Sequence, residues 1–474
     1  MASVLANTGW SVAGRVASGA LGVVVAALIS RLLGVNNFGD YALLLSLGAL
    51  LQTAADFGLY LTVTRQLGAA ASRQQTILSS AMSLRLVLAV VVFGLGGVAI
   101  FLLPTYRFLL SAYAVAALGF LFQSWSQLFM GVYQTYGAMW RAALGDFVGR
   151  LLQVVVVGVF ISVFAHQYGK VSVVFATAAF AVSAAGAYLI HSLLLPQLRP
   201  FRLTFAGEKW KELLTTSWPL ALMLILSAIY FRIDILMLSW FRPAVEVGWY
   251  GLAYRIVESL LFIPAAFGGL LLPKLSATRD TTKLRALLEQ SLYALLIAGG
   301  LVCSLLISAG TPIVTILSGA EFSPAGPLLS TLAIALLVMF FGNLFGFTLV
   351  AQGKQRSLLV LYAGLVIFAV IANSLTIPHF GAPAAAWVTV ATEALSAIVA
   401  GVLVHKSIHF RISFGALLAI SVLSVATWLV CRALLGVIPT VPALILAMMV
   451  YGAGAWAAGL LKAKQFKLLM QKTA

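Results

Sequence analysis

The sequence predicts an all-α integral membrane protein with about 14 transmembrane helices. Of its 474 residues, 62% are hydrophobic and only 9% charged, and apolar runs of at least 18 residues recur from end to end. A run of that length crosses a hydrocarbon core of ~30 Å at about 1.5 Å per residue. No soluble domain has this composition.

The expected spans are 8–31, 41–64, 77–103, 108–132, 142–164, 171–195, 215–240, 248–272, 291–318, 325–350, 357–377, 382–405, 414–437 and 440–461. Glycine, proline and charge mark the turns between them, as in GVNNFGD, LLPTYR and LSGAEFSPAGP. No positive residue precedes Arg15, so the first apolar stretch is expected to be retained as a helix rather than cleaved. Cys303 and Cys431 fall in distant spans and are expected to be buried small side chains.

The net charge of +17 is a topology signal rather than a nucleic-acid patch. With both termini cytoplasmic, nineteen lysines and arginines fall in the inner loops and tail, among them Arg65, Arg141, Lys209, Lys211, Lys354 and Lys464. Five fall outside: Arg31, Arg107, Lys170, Arg242 and Arg432. One missed or invented helix would scramble that alternation.

The chain carries an internal duplication. NFGDYALLLSL before the second span aligns with EVGWYGLAYRI before the eighth, matching Gly39 with Gly248 and Tyr41 with Tyr250. Gly137 pairs with Gly353, and Gly169 with Gly381, at similar offsets. These matches imply two six-helix lobes, 1–196 and 215–405, joined by a cytoplasmic linker, 197–214, and followed by two further helices and a basic tail, 406–474. Six is even, so the repeats are parallel and related by a pseudo-two-fold along the membrane normal.

Five arginines, Arg15, Arg85, Arg150, Arg232 and Arg255, lie inside the spans. An arginine at mid-membrane costs ~2.5–3.5 kcal/mol on insertion scales, so such residues face a protein interior or a watery path. Helical spacing puts several on polar stripes: Ser11, Arg15 and Ser18; Gln52, Thr53 and Asp56; Gln123, Gln127 and Gln134; Asp146, Arg150 and Gln153; Thr389, Thr392 and Glu393. Gln52, Gln123, Gln127, Gln153 and Thr389 are the candidate polar cavity lining. Arg85 has apolar neighbours, which leaves open a side chain snorkelling to the cytoplasmic surface or one lining a cavity.

Asp146 and Arg150, and Arg255 and Glu258, are spaced for ion pairs within their helices, whereas Arg15 and Arg232 have no acid on their own helix face. In the assigned topology Arg15, Arg85 and Arg150 occupy the inner half of the membrane and Arg232 and Arg255 the outer half. All five are candidate ligands for an anionic headgroup, forming a ladder across the bilayer. Among the embedded acids, Glu393, Asp56 and Asp234 are candidates for ion coupling, although neutralising a nearby arginine is the commoner role of such acids. The five histidines sit at or near expected helix ends, consistent with interfacial placement.

The sequence contains no P-loop, metal-ligand cluster or nucleophile elbow, so no enzyme, cofactor or metal is expected. A membrane glycosyltransferase or polymerase would be expected to carry acids on a large outer loop. Here the longer loops, 196–214 and 273–290, are basic and assigned to the cytoplasm.

Several segments together resemble the polysaccharide-export flippases of the Wzx (O-antigen) type. They are SRLLGVNNFGDYALLL, GLYLTVTRQLG, SWPLALMLILSAIYFRIDILMLSWF, VGWYGLAYRIVESLLFIPAAFGGLLLPKLS, LSGAEFSPAGPLLSTLAIAL, AQGKQR and FGAPAAAWVTVATE. The resemblance runs to about residue 405 and implies the superfamily that joins these flippases with multidrug antiporters and lipid II flippases. It further implies a two-lobed fold and a polyprenyl-pyrophosphate-linked oligosaccharide as substrate, flipped to the outer leaflet of the cytoplasmic membrane by alternating access. Membrane lipids and a polysaccharide polymerase or ligase are the implied partners. Arginine suits a pyrophosphate because its planar fork binds phosphate oxygens in pairs. A multidrug or metabolite cation antiporter, which would favour an acidic cavity, and a lipid II flippase are the alternatives.

Overall fold

The computed structural model describes residues 2–69, 74–168, 172–195, 203–278 and 280–461, with side chains described throughout except at 2–13, 15, 16, 69, 164–168 and 270. The expected linker start, 197–202, and most of the basic tail lie outside the described residues. Among the described residues fifteen α-helices follow one another: α1 (Ala2–Asp56), α2 (Leu59–Ala69), α3 (Gln74–Leu102), α4 (Leu110–Thr135), α5 (Met139–Tyr168), α6 (Val173–Leu193), α7 (Gly207–Phe241) and α8 (Ala244–Leu260). Then come α9 (Phe262–Ala277), α10 (Thr281–Ser318), α11 (Ala325–Ala351), α12 (Gln355–Phe380), α13 (Ala382–Ile408), α14 (Phe414–Leu435) and α15 (Thr440–Ala457).

Thirteen helical stretches among the described residues are long and apolar enough to cross a membrane. The first of them is interrupted at Gly34, whose φ of 68° and ψ of 175° are not helical. Glycine reaches that conformation because it has no Cβ to clash. The stretch therefore holds two of the expected spans, and the expected number of about fourteen is met.

Two spans expected to be continuous are broken. Helix α1 ends at Asp56, and Phe57 and Gly58 both take left-handed backbone angles, φ 47° and 71°. Two local features hold the break. The Asp56 carboxylate accepts the backbone N–H of Tyr60 at 3.3 Å, satisfying a donor at the start of α2. Helix α7 also approaches so closely that a Cβ on Gly58 would lie 3.0 Å from Ala221 N and 3.1 Å from Ser217 O. The span expected at 248–272 is divided more gently between α8 and α9, where Leu261 keeps right-handed angles, φ −64° and ψ −12°. Hydropathy is blind to such breaks because both sides of each remain apolar.

The chain packs as two compact units, Met1–Gly248 and Trp249–Ala474. In the first, α1 packs on α3 to α7, and α6 packs on both α4 and α5. Helix α7, which the repeat assigns to the second lobe, packs on α1, α2 and α3. Packing units and repeat lobes thus divide the chain at different residues. The core joins Leu59, Val63 and Leu67 of α2 to Leu78 and Met82 of α3 and Phe129 and Val132 of α4. Small residues bring backbones together: Ser183 Oγ donates to Gly149 O at 2.7 Å, tying α6 to α5.

In the second unit α11 packs between α10 and α13, and α12 lies against α13. Helices α14 and α15 dock on α10, where the Tyr451 hydroxyl donates to Ile297 O at 2.8 Å. Large apolar side chains remain exposed on outward faces, such as Val90 and Leu95 of α3 and Ile371 and Leu375 of α12, as lipid contact requires.

The α10–α11 contact is set by two glycines. A Cβ on Gly310 would lie 2.7 Å from Gly326 O, and one on Gly326 would strike Thr311. Gly326→Val is therefore expected to cost about 1–3 kcal/mol through overpacking. Heating followed by size-exclusion chromatography should show its thermal midpoint several degrees lower, while Gly364→Val, with nothing within 4 Å of its Cβ, should match the parent.

Candidate functional site

The embedded charges fall into distinct environments. Arg85 is fully buried, at 0% exposure, against the expectation of a snorkelling or cavity-lining side chain. It forms an ion pair with Asp56 at the end of α1. It also donates to the backbone carbonyl of Ser124 on α4, with the Ser124 hydroxyl at 3.3 Å from the same nitrogen. A buried cation must be paired and hydrogen-bonded to be tolerated, and this one ties α1, α3 and α4 together beside the Phe57–Gly58 break. It presents no surface to a ligand in this conformation, and Asp56 is its counter-ion.

Gln52, one turn before Asp56, is also buried. Gln123 is half-buried and Gln127 exposed. Beyond them Gln134 Nε2 donates to the Tyr60 hydroxyl at 2.8 Å, linking α4 to α2. The Ser217 hydroxyl of α7 donates to Thr62 Oγ1 of α2 at 2.8 Å. The side chain of Arg15 lies outside the described residues. Its neighbour Gly14 faces Ala143, which places that turn of α1 on α5, two turns before Arg150.

Arg150 is half-buried and donates to Gln153 Oε1 at 3.2 Å, with Gln153 itself 1% exposed. Asp146 faces His191 Nε2 of α6 at 3.4 Å. His191, expected at an interface, is instead fully buried, its ring packed on Gly145 and its carbonyl accepting from the Tyr133 hydroxyl at 2.8 Å. On α7, Arg232 is half-buried and Asp234 buried.

In the second unit the expected pair forms, with Arg255 Nη1 3.5 Å from Glu258 Oε2. Its guanidinium side chain remains 35% exposed, so the pair does not bury it. Tyr250 OH lies 3.0 Å from Thr389 Oγ1, joining α8 to α13. Thr389 Oγ1 also donates to Ala385 O at 2.8 Å, and Glu393 is buried one turn further along α13. The spacing of Thr389 and Glu393 was visible in the sequence; the partner Tyr250, on another helix, was not. Among the described residues no group of three or more metal-ligating side chains exists.

A family model described as "Polysaccharide biosynthesis protein" matches residues 4–279, more than half of the chain. The chain belongs to that family. No curated protein sequence matches it. Among solved structures, this polysaccharide biosynthesis family member is similar to a lipid II flippase MurJ in an inward closed conformation, with a TM-score of 0.77 and 14% identity over 96% of this chain and 98% of that one. It is also similar to a multidrug resistance MATE family transporter of the MOP superfamily. The inward-facing form gives TM-score 0.59 at 17% identity, covering 85% and 94% of the two chains, and the outward-facing form 0.60 at 16%, covering 86% and 95%. The family member is thus a multi-pass membrane protein with the flippase and transporter fold.

The Arg85–Asp56 pair allows a direct test. Arg85→Ala strands a buried carboxylate and is expected to cost about 3–5 kcal/mol, read as a large fall in thermal midpoint or folded yield. The double variant Arg85→Met, Asp56→Leu removes both charges and should recover most of that loss. Additive losses in the double variant would show that the two side chains are not coupled.

Proposed function

We propose that this family member is a flippase that carries a polyprenyl-pyrophosphate-linked oligosaccharide from the inner to the outer leaflet of the cytoplasmic membrane, for cell-surface polysaccharides such as O-antigen. The observation that carries the reading is the set of arginines that remain reachable on otherwise apolar helices: Arg150, Arg232 and Arg255, all half-buried. A pyrophosphate joined to sugars cannot cross hydrocarbon unaided, whereas its lipid tail need not leave it. A cationic path shelters the head while the tail stays in the bilayer. Arg15, at the α5-facing turn of α1, completes the inner end of that path, and Arg85 serves as its structural brace.

The two lobes, 1–196 and 215–405, would alternate access to the two leaflets, with both termini in the cytoplasm and a polymerase or ligase consuming the delivered lipid. Buried Glu393 and Asp234 are the candidates for ion coupling. Gln52, Gln123, Gln127, Gln153 and Thr389 supply polar groups along the helices. The likeness to a lipid II flippase supports a lipid-linked molecule as the class of cargo. An antiporter for organic cations fits less well, because arginines repel such cargo.

In a strain lacking the protein, mass spectrometry of extracted lipids is expected to show a lipid-linked oligosaccharide accumulating in the inner leaflet. Arg15→Gln and Arg232→Gln, confirmed as stably inserted, should each restore export at least about tenfold less well than the parent, since a charge-assisted hydrogen bond contributes about 1.5–3 kcal/mol. Normal export by both variants would remove the arginine path. Accumulation of lipid II instead would change the cargo.

A further inference from the structure

The glycines matched by the repeat touch each other's helices. A Cβ on Gly39 would fall on the carbonyl oxygen of Ala244, and a Cβ on Gly248 would fall on the carbonyl oxygen of Val35. The 209-residue offset that equates Gly39 with Gly248 also equates Val35 with Ala244. The contact is therefore reciprocal: each glycine sits on the carbonyl that its own equivalent's helix begins with. Residue i touching j while j touches i is the signature of a two-fold contact. All four residues lie in the first compact unit.

The local chain explains why the helices can meet here. Val35 is the first residue after the Gly34 break, and Ala244 opens α8 after extended Arg242 and Pro243. Each contact thus joins the first turn of one helix to the glycine one turn into the other. Both glycines are buried, as are Phe38 and Tyr41 in one copy and their equivalents Val247 and Tyr250 in the other. With no Cβ on either side, backbone meets backbone. Such Cα–H···O contacts are individually weak, so they can close tightly and still part.

We propose that the Gly39–Gly248 contact is a reversible seal on the local two-fold, closing one end of the transport path in this conformation and parting when that end opens. In the assigned topology this is the outer end. The inference rests on the alternating-access reading above. A side chain at either position meets a backbone carbonyl rather than a flexible neighbour, so even a methyl group holds the two helices apart.

Hydrogen–deuterium exchange of the purified protein tests the contact itself. Gly39→Ala and Gly248→Ala should each raise exchange several-fold in both segments, 35–41 and 244–250, including the segment that carries no substitution. Gly22→Ala and Gly94→Ala, whose Cβ positions have nothing within 4 Å, should not. Unchanged exchange in both seal variants, with the protein folded, would overturn the proposal.

Parting is tested by fixing the seal shut. In a Cys303→Ser, Cys431→Ser background, Asn36→Cys and Val245→Cys would be bridged by a bismaleimide, with bridging confirmed by intact mass. Bridged protein should lose at least tenfold of its flipping activity in reconstituted vesicles, while the unbridged double variant keeps it. Full activity after bridging would show a static contact and sink the seal. The two readings fail separately: absence of any lipid-linked oligosaccharide phenotype in the deletion strain would remove the cargo, while the exchange result judges the contact without reference to cargo.

Discussion

Inside a bilayer an unpartnered polar group is costly, and that constraint organises much of this molecule. Backbone groups are satisfied within helices, so departures from helix occur where a particular feature accommodates them. At Phe57–Gly58 the Asp56 carboxylate takes up the Tyr60 N–H, and Ser217 and Ala221 of α7 close over Gly58. Asp56 also pairs with Arg85, whose guanidinium reaches the Ser124 carbonyl. One carboxylate thus serves both the start of a helix and a buried cation, and the break, the ion pair and the packing of α1, α3 and α4 form one unit.

The same constraint sorts the arginines. Arg85 is enclosed and its charge is matched by a partner on another helix, so it acts on the fold. Arg255 has its partner one turn away on the same helix, and such a pair leaves the guanidinium partly accessible because its neutralisation needs no enclosure by other elements. Arg150 donates sideways to the buried Gln153. That contact orients the half-buried guanidinium. Enclosure, rather than the mere presence of a partner, separates a brace from a reachable cation.

What the sequence made legible follows from the range of each interaction. Number and placement of spans come from run length, which needs only local composition, and the Arg255–Glu258 pair follows from helical spacing. Arg85–Asp56, Asp146–His191 and Tyr250–Thr389 each join different helices, and no spacing rule reaches across a turn of unknown direction. The apolar neighbours of Arg85 left a snorkelling or a cavity-lining side chain open, because burial among helices and exposure to lipid select the same side chains. His191 misled for a related reason: closeness to a helix end in sequence says nothing about what packs over that end. Arg15 and Arg232 stand out in the sequence as candidate headgroup ligands because they lack a local acid, a criterion that bears on charge balance within one helix and leaves tertiary partners open.

The duplication adds a constraint that neither composition nor spacing contains. When a repeat folds about a local axis, residues on the axis meet their own equivalents, so any property they need is needed twice. Close approach of two helix starts needs a missing Cβ on both, and Gly39 and Gly248 provide it in the same register, with Val35 and Ala244 offering equivalent carbonyls. A glycine in one copy alone would leave the opposite Cβ striking a carbonyl and hold the helices apart. The pairing of Gly39 with Gly248 in the sequence, weak as an alignment of two short segments, is strengthened because the equivalent residues make equivalent contacts. That reciprocity is what a local two-fold requires: the partners match as well as the residues.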